Sequence, residues 1–254
     1  MRSKIVRRLF NFGLFLLSTV AVADLPSVIE KIKPSIIAVG TYNKTQSPAF
    51  VFRGTGFVVG NGNEAITNAH VVPDTAQQSD ANGLSVLTRN GQGDLAIRRA
   101  QILRKDSAHD LAVIRIDGQP IPAMAIGDSA TVREGQAVAL IGFPIGGALG
   151  FSPVTHRGIV AAITPIALPG GNSQQLNEKL IQQLRRGSFD IFQLDATAYP
   201  GNSGSPLFDT DTGAVIGVIN MVFVKGRKEA AISNPSGITY AIPARHLKTL
   251  LINN

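Results

Sequence analysis

The sequence has no cysteine and no tryptophan, and its 254 residues include only 3 methionines and 3 tyrosines. Lack of cysteine excludes disulfide frameworks, zinc–thiolate sites, iron–sulfur clusters and thiol nucleophiles together. A nucleophile, if the chain uses one, is therefore oxygen or amine. Charge is also sparse: 16% of residues are charged against 44% hydrophobic. That balance is globular, neither disordered nor collagen-like, and the length is enough for one large core or two small ones. No short-period internal repeat is visible, which argues against solenoids and propellers.

What charge there is leans basic, with a net value of +7, as if the partner were nucleic acid or a membrane surface. Yet Arg2, Lys4, Arg7 and Arg8 supply more than half of it, ahead of a mostly apolar run from Phe12 to Val22. Small residues follow at Ala21-Val22-Ala23, so Met1 to Ala23 reads as an export signal, with an uncleaved N-terminal anchor as the alternative. The run is too short and interrupted for a membrane span, and no stable span is expected once the signal is removed. Either reading places the folded part in the periplasm or outside the cell. The basic pairs Arg98-Arg99 and Arg185-Arg186 read as solvated faces, so no nucleic-acid partner is expected.

From Leu25 to Lys33 apolar residues recur at helical spacing behind Pro26-Ser27, and Pro34 ends the pattern. Beyond it, short apolar or β-branched runs separated by Gly, Asn and Asp predict strands at 36–39, 56–59, 65–67, 84–87, 112–116, 138–141, 158–163, 191–194 and 215–220. Many short strands with few helices indicate an all-β barrel or sandwich. The soft, Gly- and Pro-containing stretch from Asp117 to Glu134 reads as the connection between two β units of similar size. Helical spacing returns in an insertion at 172–187 and in a C-terminal helix from Ala244 to Ile252.

Gly201-Asn202-Ser203-Gly204, between Pro200 and Pro206, is the sharpest local signal. Glycines flanking a serine permit a tight turn that gathers backbone N–H groups beside its hydroxyl; by itself the segment is also an ordinary turn. Donors from this loop could hold the negative oxygen of a tetrahedral acyl intermediate. A serine hydroxyl needs a base, and of the 4 histidines His70 has the best setting, at a strand end among small neighbours. His109 and His156 lack such a setting; His156, next to Arg157, reads as an exposed strand residue. His246 reads as a helix-face cation near a C-terminus. The imidazole needs a buried acceptor to fix its tautomer, and Asp110, just ahead of the apolar run Leu111 to Ile116, is placed to supply it. The three residues run His, Asp, Ser along the chain, unlike the Ser, Asp, His order of lipase-type hydrolases.

At these residues the chain resembles the trypsin-like peptidases, and among them the HtrA/Deg-like branch. The likeness is carried by Gly54-Thr55-Gly56-Phe57-Val58-Val59, Thr67-Asn68-Ala69-His70-Val71-Val72, His109-Asp110-Leu111-Ala112-Val113-Ile114, Ala139-Leu140-Ile141-Gly142-Phe143-Pro144, Gly201-Asn202-Ser203-Gly204-Ser205-Pro206-Leu207 and Tyr240-Ala241-Ile242-Pro243. It implies two antiparallel six-stranded β-barrels, the first within 24–125 and the second within 126–254, with the active site in the cleft between them. It implies His70, Asp110 and Ser203 as catalytic residues, an oxyanion hole from Gly201, Asn202 and Ser203, and a substrate pocket walled by Thr197, Ile219 and Asn220. A carboxylate six positions before the serine would mark cleavage after Lys or Arg; that position is Thr197, so a neutral pocket for small or medium aliphatic side chains is expected. Relatives usually carry Gly-Gly-Pro where this chain has Gly204-Ser205-Pro206, and continue into a peptide-binding PDZ domain that is not seen after Pro243.

The implied function is a serine endopeptidase acting on polypeptides, misfolded ones among them, with an HtrA-like chaperone that holds unfolded chains as the alternative and homo-oligomers as a possibility that the family carries. No cofactor or metal is expected. Asp209-Thr210-Asp211-Thr212-Gly213 resembles the start of a calcium loop but lacks its closing glutamate and reads as a hairpin turn. Gly146-Gly147-Ala148-Leu149-Gly150 lacks the Lys-Ser/Thr ending of a phosphate loop.

Overall fold

The computed structural model describes residues 24–73, 83–89, 93–146, 150–165, 189–220 and 238–252. The expected export signal at 1–23 and helical insertion at 172–187 lie outside these residues. Helix α1 (Leu25–Ile32) opens the fold, its first turn capped by Asp24, whose Oδ1 accepts from the Ser27 N–H at 3.2 Å. A single 3-10 turn at Lys33–Ser35 follows.

Six strands then close the first barrel: β1 (Ile36–Tyr42), β2 (Phe50–Val59), β3 (Glu64–Asn68), β4 (Gly83–Arg89), β5 (Leu95–Asp106) and β6 (Leu111–Ile116), in the spatial order 1-2-3-6-5-4. Six more close the second: β7 (Ala137–Gly142), β8 (Val154–Pro165), β9 (Asp190–Asp195), β10 (Pro206–Asp209), β11 (Val215–Asn220) and β12 (Ile238–Pro243), in the order 7-8-9-12-11-10. The two orders are the same topology used twice, with every pairing antiparallel. Helix α2 (Arg245–Ile252) follows β12. The expected double-barrel architecture is therefore present.

Successive side chains of a strand point to opposite faces, and here both faces are covered. Along β1, Ile37 and Val39 fill the first barrel, whereas Ile36 and Ala38 face a second cluster shared with the other barrel. β7 mirrors this, with Val138 and Leu140 inside its own barrel and Ala139 and Ile141 in the shared cluster. The shared cluster also takes in Phe57, Leu111, Phe143, Phe208, Val28 of α1 and Leu247 of α2. Burial on both faces is why these strands read as continuous apolar runs rather than alternating ones.

The sequence pattern misses β5, which lacks that burial, and also β10 and β12, which are buried but do not stand out as separate apolar runs. Leu95, Ile97 and Leu103 of β5 are exposed and interleaved with Arg98, Arg99, Arg104 and Lys105. β10 has four residues and begins at a proline. The Asp209–Gly213 segment is the hairpin turn between β10 and β11, where Asp209 Oδ1 accepts from the N–H of Thr212 at 2.9 Å and of Asp211 at 3.2 Å. Because Phe57 is fully buried in the cluster that joins the barrels, Phe57→Ala is expected to cost about 3–5 kcal/mol, measured by reversible denaturant unfolding.

Candidate active site

β3 and β6 are antiparallel neighbours, with Asn68 opposite Leu111. The residues just after β3 and just before β6 therefore meet at one end of the first barrel, which brings His70 and Asp110 together across a gap of 40 positions. Asp110 sits at φ 53, a conformation uncommon outside glycine but tolerated by Asp. It is held there through its backbone: its carbonyl accepts from the Ala69 N–H at 3.1 Å and from Asn68 Nδ2 at 3.0 Å. Its Oδ1 accepts from the His70 N–H at 2.9 Å, and its Oδ2 pairs with His70 Nδ1 at 2.6 Å. A carboxylate on Nδ1 keeps the proton there and leaves Nε2 as the basic nitrogen. The His70 side chain is 36% exposed, so that nitrogen is reachable from solvent.

Asp110 Oδ2 also accepts from Asn220 Nδ2 at 2.9 Å. The second barrel thus holds the acid of the first. Asn220, expected as a pocket wall, directs its amide at this carboxylate instead. Ile219 is likewise displaced from that expectation: its side chain is fully buried inside the second barrel, and only its backbone reaches the serine loop, its carbonyl accepting from the Gly204 N–H at 3.0 Å and its N–H donating to the Ser205 carbonyl at 2.9 Å. Thr197 is half-buried between β9 and that loop.

Ser203 lies just ahead of β10 and is 7% exposed. Its carbonyl accepts from the Thr55 N–H at 2.9 Å, which docks it on β2. The next residue abuts β3: Gly204 has φ +86, and a Cβ there would collide with the Thr55 carbonyl and Thr67 Oγ1 and lie 3.2 Å from the Asn68 nitrogen. The serine thus stands beside the strand that leads to His70, although no hydrogen bond joins its hydroxyl to that ring among the described residues. Gly201 has φ +105, and a Cβ there would strike the Phe143 carbonyl. The Asn202 N–H is spent on the Tyr199 carbonyl at 2.9 Å, and the Ser205 N–H on the Asn202 carbonyl at 3.0 Å. The N–H groups of Gly201 and Ser203 have no acceptor among the described residues. Of the three residues expected around an oxyanion, two keep free donors and Asn202 shapes the turn.

One side chain that the sequence reading left unassigned ties the loop together. Thr55 is fully buried; its Oγ1 donates to the Gly201 carbonyl at 2.7 Å and accepts from the Phe143 N–H at 3.1 Å. Its carbonyl accepts from Thr67 Oγ1 at 2.7 Å. The signal was present as a hydroxyl between two glycines, Gly54 and Gly56, in a stretch that admits close backbone approach.

The other histidines depart from their expected settings. His156 is half-buried, not exposed, with an unpartnered Nε2 and its ring 5.8 Å from that of Tyr199; burial lowers its pKa. His246 lies in the first turn of α2, not near its C-terminus, where the positive end of the helix dipole opposes a cation. Burial, then His109 and Arg245, lower its pKa to about 4, so it is neutral near pH 7.

Two barrels of one topology around a His–Asp pair define a chymotrypsin-like peptidase domain. The family described as Trypsin-like peptidase domain matches residues 54–218, and the chain belongs to it. Within that family it is similar to the zebrafish (Danio rerio) "Serine protease HTRA1A", at 32% identity over 89% of this chain and 40% of the relative. It is also similar to the "Probable periplasmic serine endoprotease DegP-like" of Halomonas elongata, at 31% identity over 75% of this chain and 32% of the relative. The chain thus spans well under half the length of these relatives. Among solved structures, "HtrA-type protease AlgW with tripeptide" superposes with a TM-score of 0.61 at 26% identity, covering 90% of this chain and 62% of that one. "Crystal structure of Deg5" superposes with a TM-score of 0.63 over 88% and 90% at 24% identity, a likeness of fold.

Thr55→Val keeps the shape but leaves the Gly201 carbonyl and Phe143 N–H unpartnered. The expected outcome is a loss of about 1–3 kcal/mol in stability and a fall in kcat of about 10²-fold through misplacement of the serine loop, with KM changed much less. Thr55→Ser restores both, checked by unfolding and steady-state peptide hydrolysis.

Proposed function

We propose that the chain is an exported serine endopeptidase in which Ser203 attacks the scissile carbonyl of a polypeptide and His70 Nε2 takes its proton. Asp110 holds the imidazole and stabilises its protonated form. The N–H groups of Gly201 and Ser203 receive the oxyanion as the carbonyl oxygen becomes negative. Collapse of the tetrahedral species expels the amine, which takes the proton from His70, and water then hydrolyses the acyl-enzyme by the same route in reverse. The observation that carries this reading is the Asp110–His70 pair at 2.6 Å, locked from the other barrel by Asn220, beside a serine loop with two unspent amides.

The open hydroxyl–imidazole contact is compatible with this, since such bonds are often long in free enzymes and tighten when substrate arrives. Export is supported by the basic, then apolar N-terminal segment and by the periplasmic relatives; no helix among the described residues is long and apolar enough to cross a membrane. Thr197 supplies no carboxylate, so the side chain preceding the cleaved bond is small or medium and aliphatic.

A fluorophosphonate probe tests the reading directly. It is expected to label wild type on Ser203 and to leave Ser203→Ala unlabelled, with peptide cleavage lost in the same variant. Asp110→Asn should lower kcat by about 10⁴-fold. Labelling that survives Ser203→Ala, or a peptide-library profile dominated by Lys and Arg, would contradict the nucleophile and the pocket respectively.

A further inference from the structure

The turn that carries Asp110 is gripped from a second side. At the end of β5, Asp106 Oδ1 accepts from the N–H groups of Ala108 at 2.9 Å and His109 at 3.1 Å in the turn to β6, and its Oδ2 pairs with His109 Nδ1 at 2.6 Å. These bonds fix His109 as part of the turn. Burial would raise the Asp106 pKa, but its hydrogen bonds with His109 outweigh that and hold the carboxyl below its ordinary value. The His109 ring stacks on His246 of α2, with centroids 4.0 Å apart and planes 26° from parallel. Phe189, one residue ahead of β9, meets both rings edge-on, at 4.7 Å from His109 and 5.1 Å from His246. Both ring partners of His109 come from the second half of the chain, Phe189 beside β9 and His246 on α2. His246 Nε2 is buried and unpartnered, so this ring contributes by packing rather than by a hydrogen bond from that atom.

We propose that His109 and His246 form a ring clasp by which the C-terminal helix fixes the turn bearing Asp110, making both of them positioning residues for the reaction. This rests on the peptidase reading above. Asn220 holds the carboxylate on one side and the stack holds the preceding residue on the other, so Asp110 is set by the second half of the chain twice. Loss of the stack leaves His109 held by Asp106 alone, loosens the turn at its left-handed residue and lets the carboxylate drift from His70 Nδ1.

The clasp is sensitive to acid. Around His246 stand His109 of the turn and Arg245 of its own helix, which disfavour its protonation, and Asp106 of the turn and Asp190 of β9, which favour it; Arg245 and Asp190 face each other at 3.7 Å. With a pKa lowered from 6.5 to about 4, His246 is neutral in the folded protein over a range in which the unfolded chain takes up the proton. Its contribution to stability is full above about 6.5 and declines as pH falls toward 4. His246→Phe, which keeps a ring without titration, should flatten that limb of a plot of Tm against pH.

The decisive measurements are made near neutral pH, well below the melting temperature, on variants shown to be folded by circular dichroism. His246→Ala is expected to slow fluorophosphonate labelling of Ser203 and to lower kcat, each by about tenfold, with KM within about twofold of wild type. His246→Phe should recover most of the rate. In an Asp110→Asn background, His246→Ala should add nothing, because the two act through one group. Hydrogen exchange of the Ala69 amide, which is bonded to the Asp110 carbonyl, should accelerate about tenfold in His246→Ala. Unchanged kcat together with unchanged exchange, or losses that multiply in the double variant, would overturn the clasp. Faster exchange in a protein whose wild type takes no label would instead sustain the clasp and reject the peptidase reading.

Discussion

The buried hydroxyl of Thr55 is the interaction on which the rest of the site depends. It stands on a strand of the first barrel, yet its partners are the carbonyl of Gly201 and the N–H of Phe143, both from the second. The backbone of the same residue donates to the Ser203 carbonyl. Three bonds from one residue thus set the height and tilt of the serine loop against the other barrel. Polar groups buried this deeply are costly when unpaired, so the two barrels can sit in only one relative position without orphaning part of the set. The large apolar cluster between the barrels supplies the attraction, because apolar burial is non-directional. The Thr55 network supplies the register that such burial cannot.

This division explains what the sequence revealed and what it hid. Apolar runs such as Ile36–Val39 and Val138–Ile141 were legible as strands because both of their faces are buried. β5 was not, since its exposed, arginine-rich face carries the pattern of a solvated segment. The double use of one strand order was invisible as a sequence repeat: topology is kept by hydrophobic position, and Ile, Val, Leu, Phe and Ala interchange freely there. For the site, His70, Asp110 and Gly201–Gly204 stood out because their chemistry requires particular residue types. Asn220 and Ile219 were assigned to the pocket from a likeness of sequence, and only the pairing of β11 with β10 and β12 shows which of them reaches the carboxylate. His246 looked like a surface cation because its distance from the end of the chain was legible but its place within the helix, and the rings stacked on it, were not.

The arrangement also shows how a weakly built conformation can be held. Asp110 adopts a left-handed backbone, and the Asp106 bonds that hold the loop before it reach only as far as His109. Further constraint comes from outside: Asn68 and Ala69 on its carbonyl, His70 on both carboxylate oxygens, and Asn220 from across the cleft. Each of these hydrogen bonds is worth only about 1–3 kcal/mol net, and none would hold the geometry alone. Their convergence on one residue does, since displacing Asp110 breaks several bonds at once.

Unspent polarity in the serine loop follows the same logic in reverse. Among the described residues, Gly201 and Ser203 keep N–H groups without acceptors, and the side-chain nitrogen and oxygen of the buried Asn202 have no partner. A loop optimised for stability alone would pair these groups. Here the backbone bonds of Asn202 and Ser205 are satisfied and fix the turn, while in the proposed function the donors left over serve a task performed only when another molecule arrives. On the peptidase reading, these donors would meet the acyl oxygen that becomes negative during reaction. Stability lost by leaving donors free is recovered elsewhere, in the interbarrel cluster and in the bonds of Thr55. The same elements that hold the two barrels together therefore allow the loop between them to remain chemically incomplete.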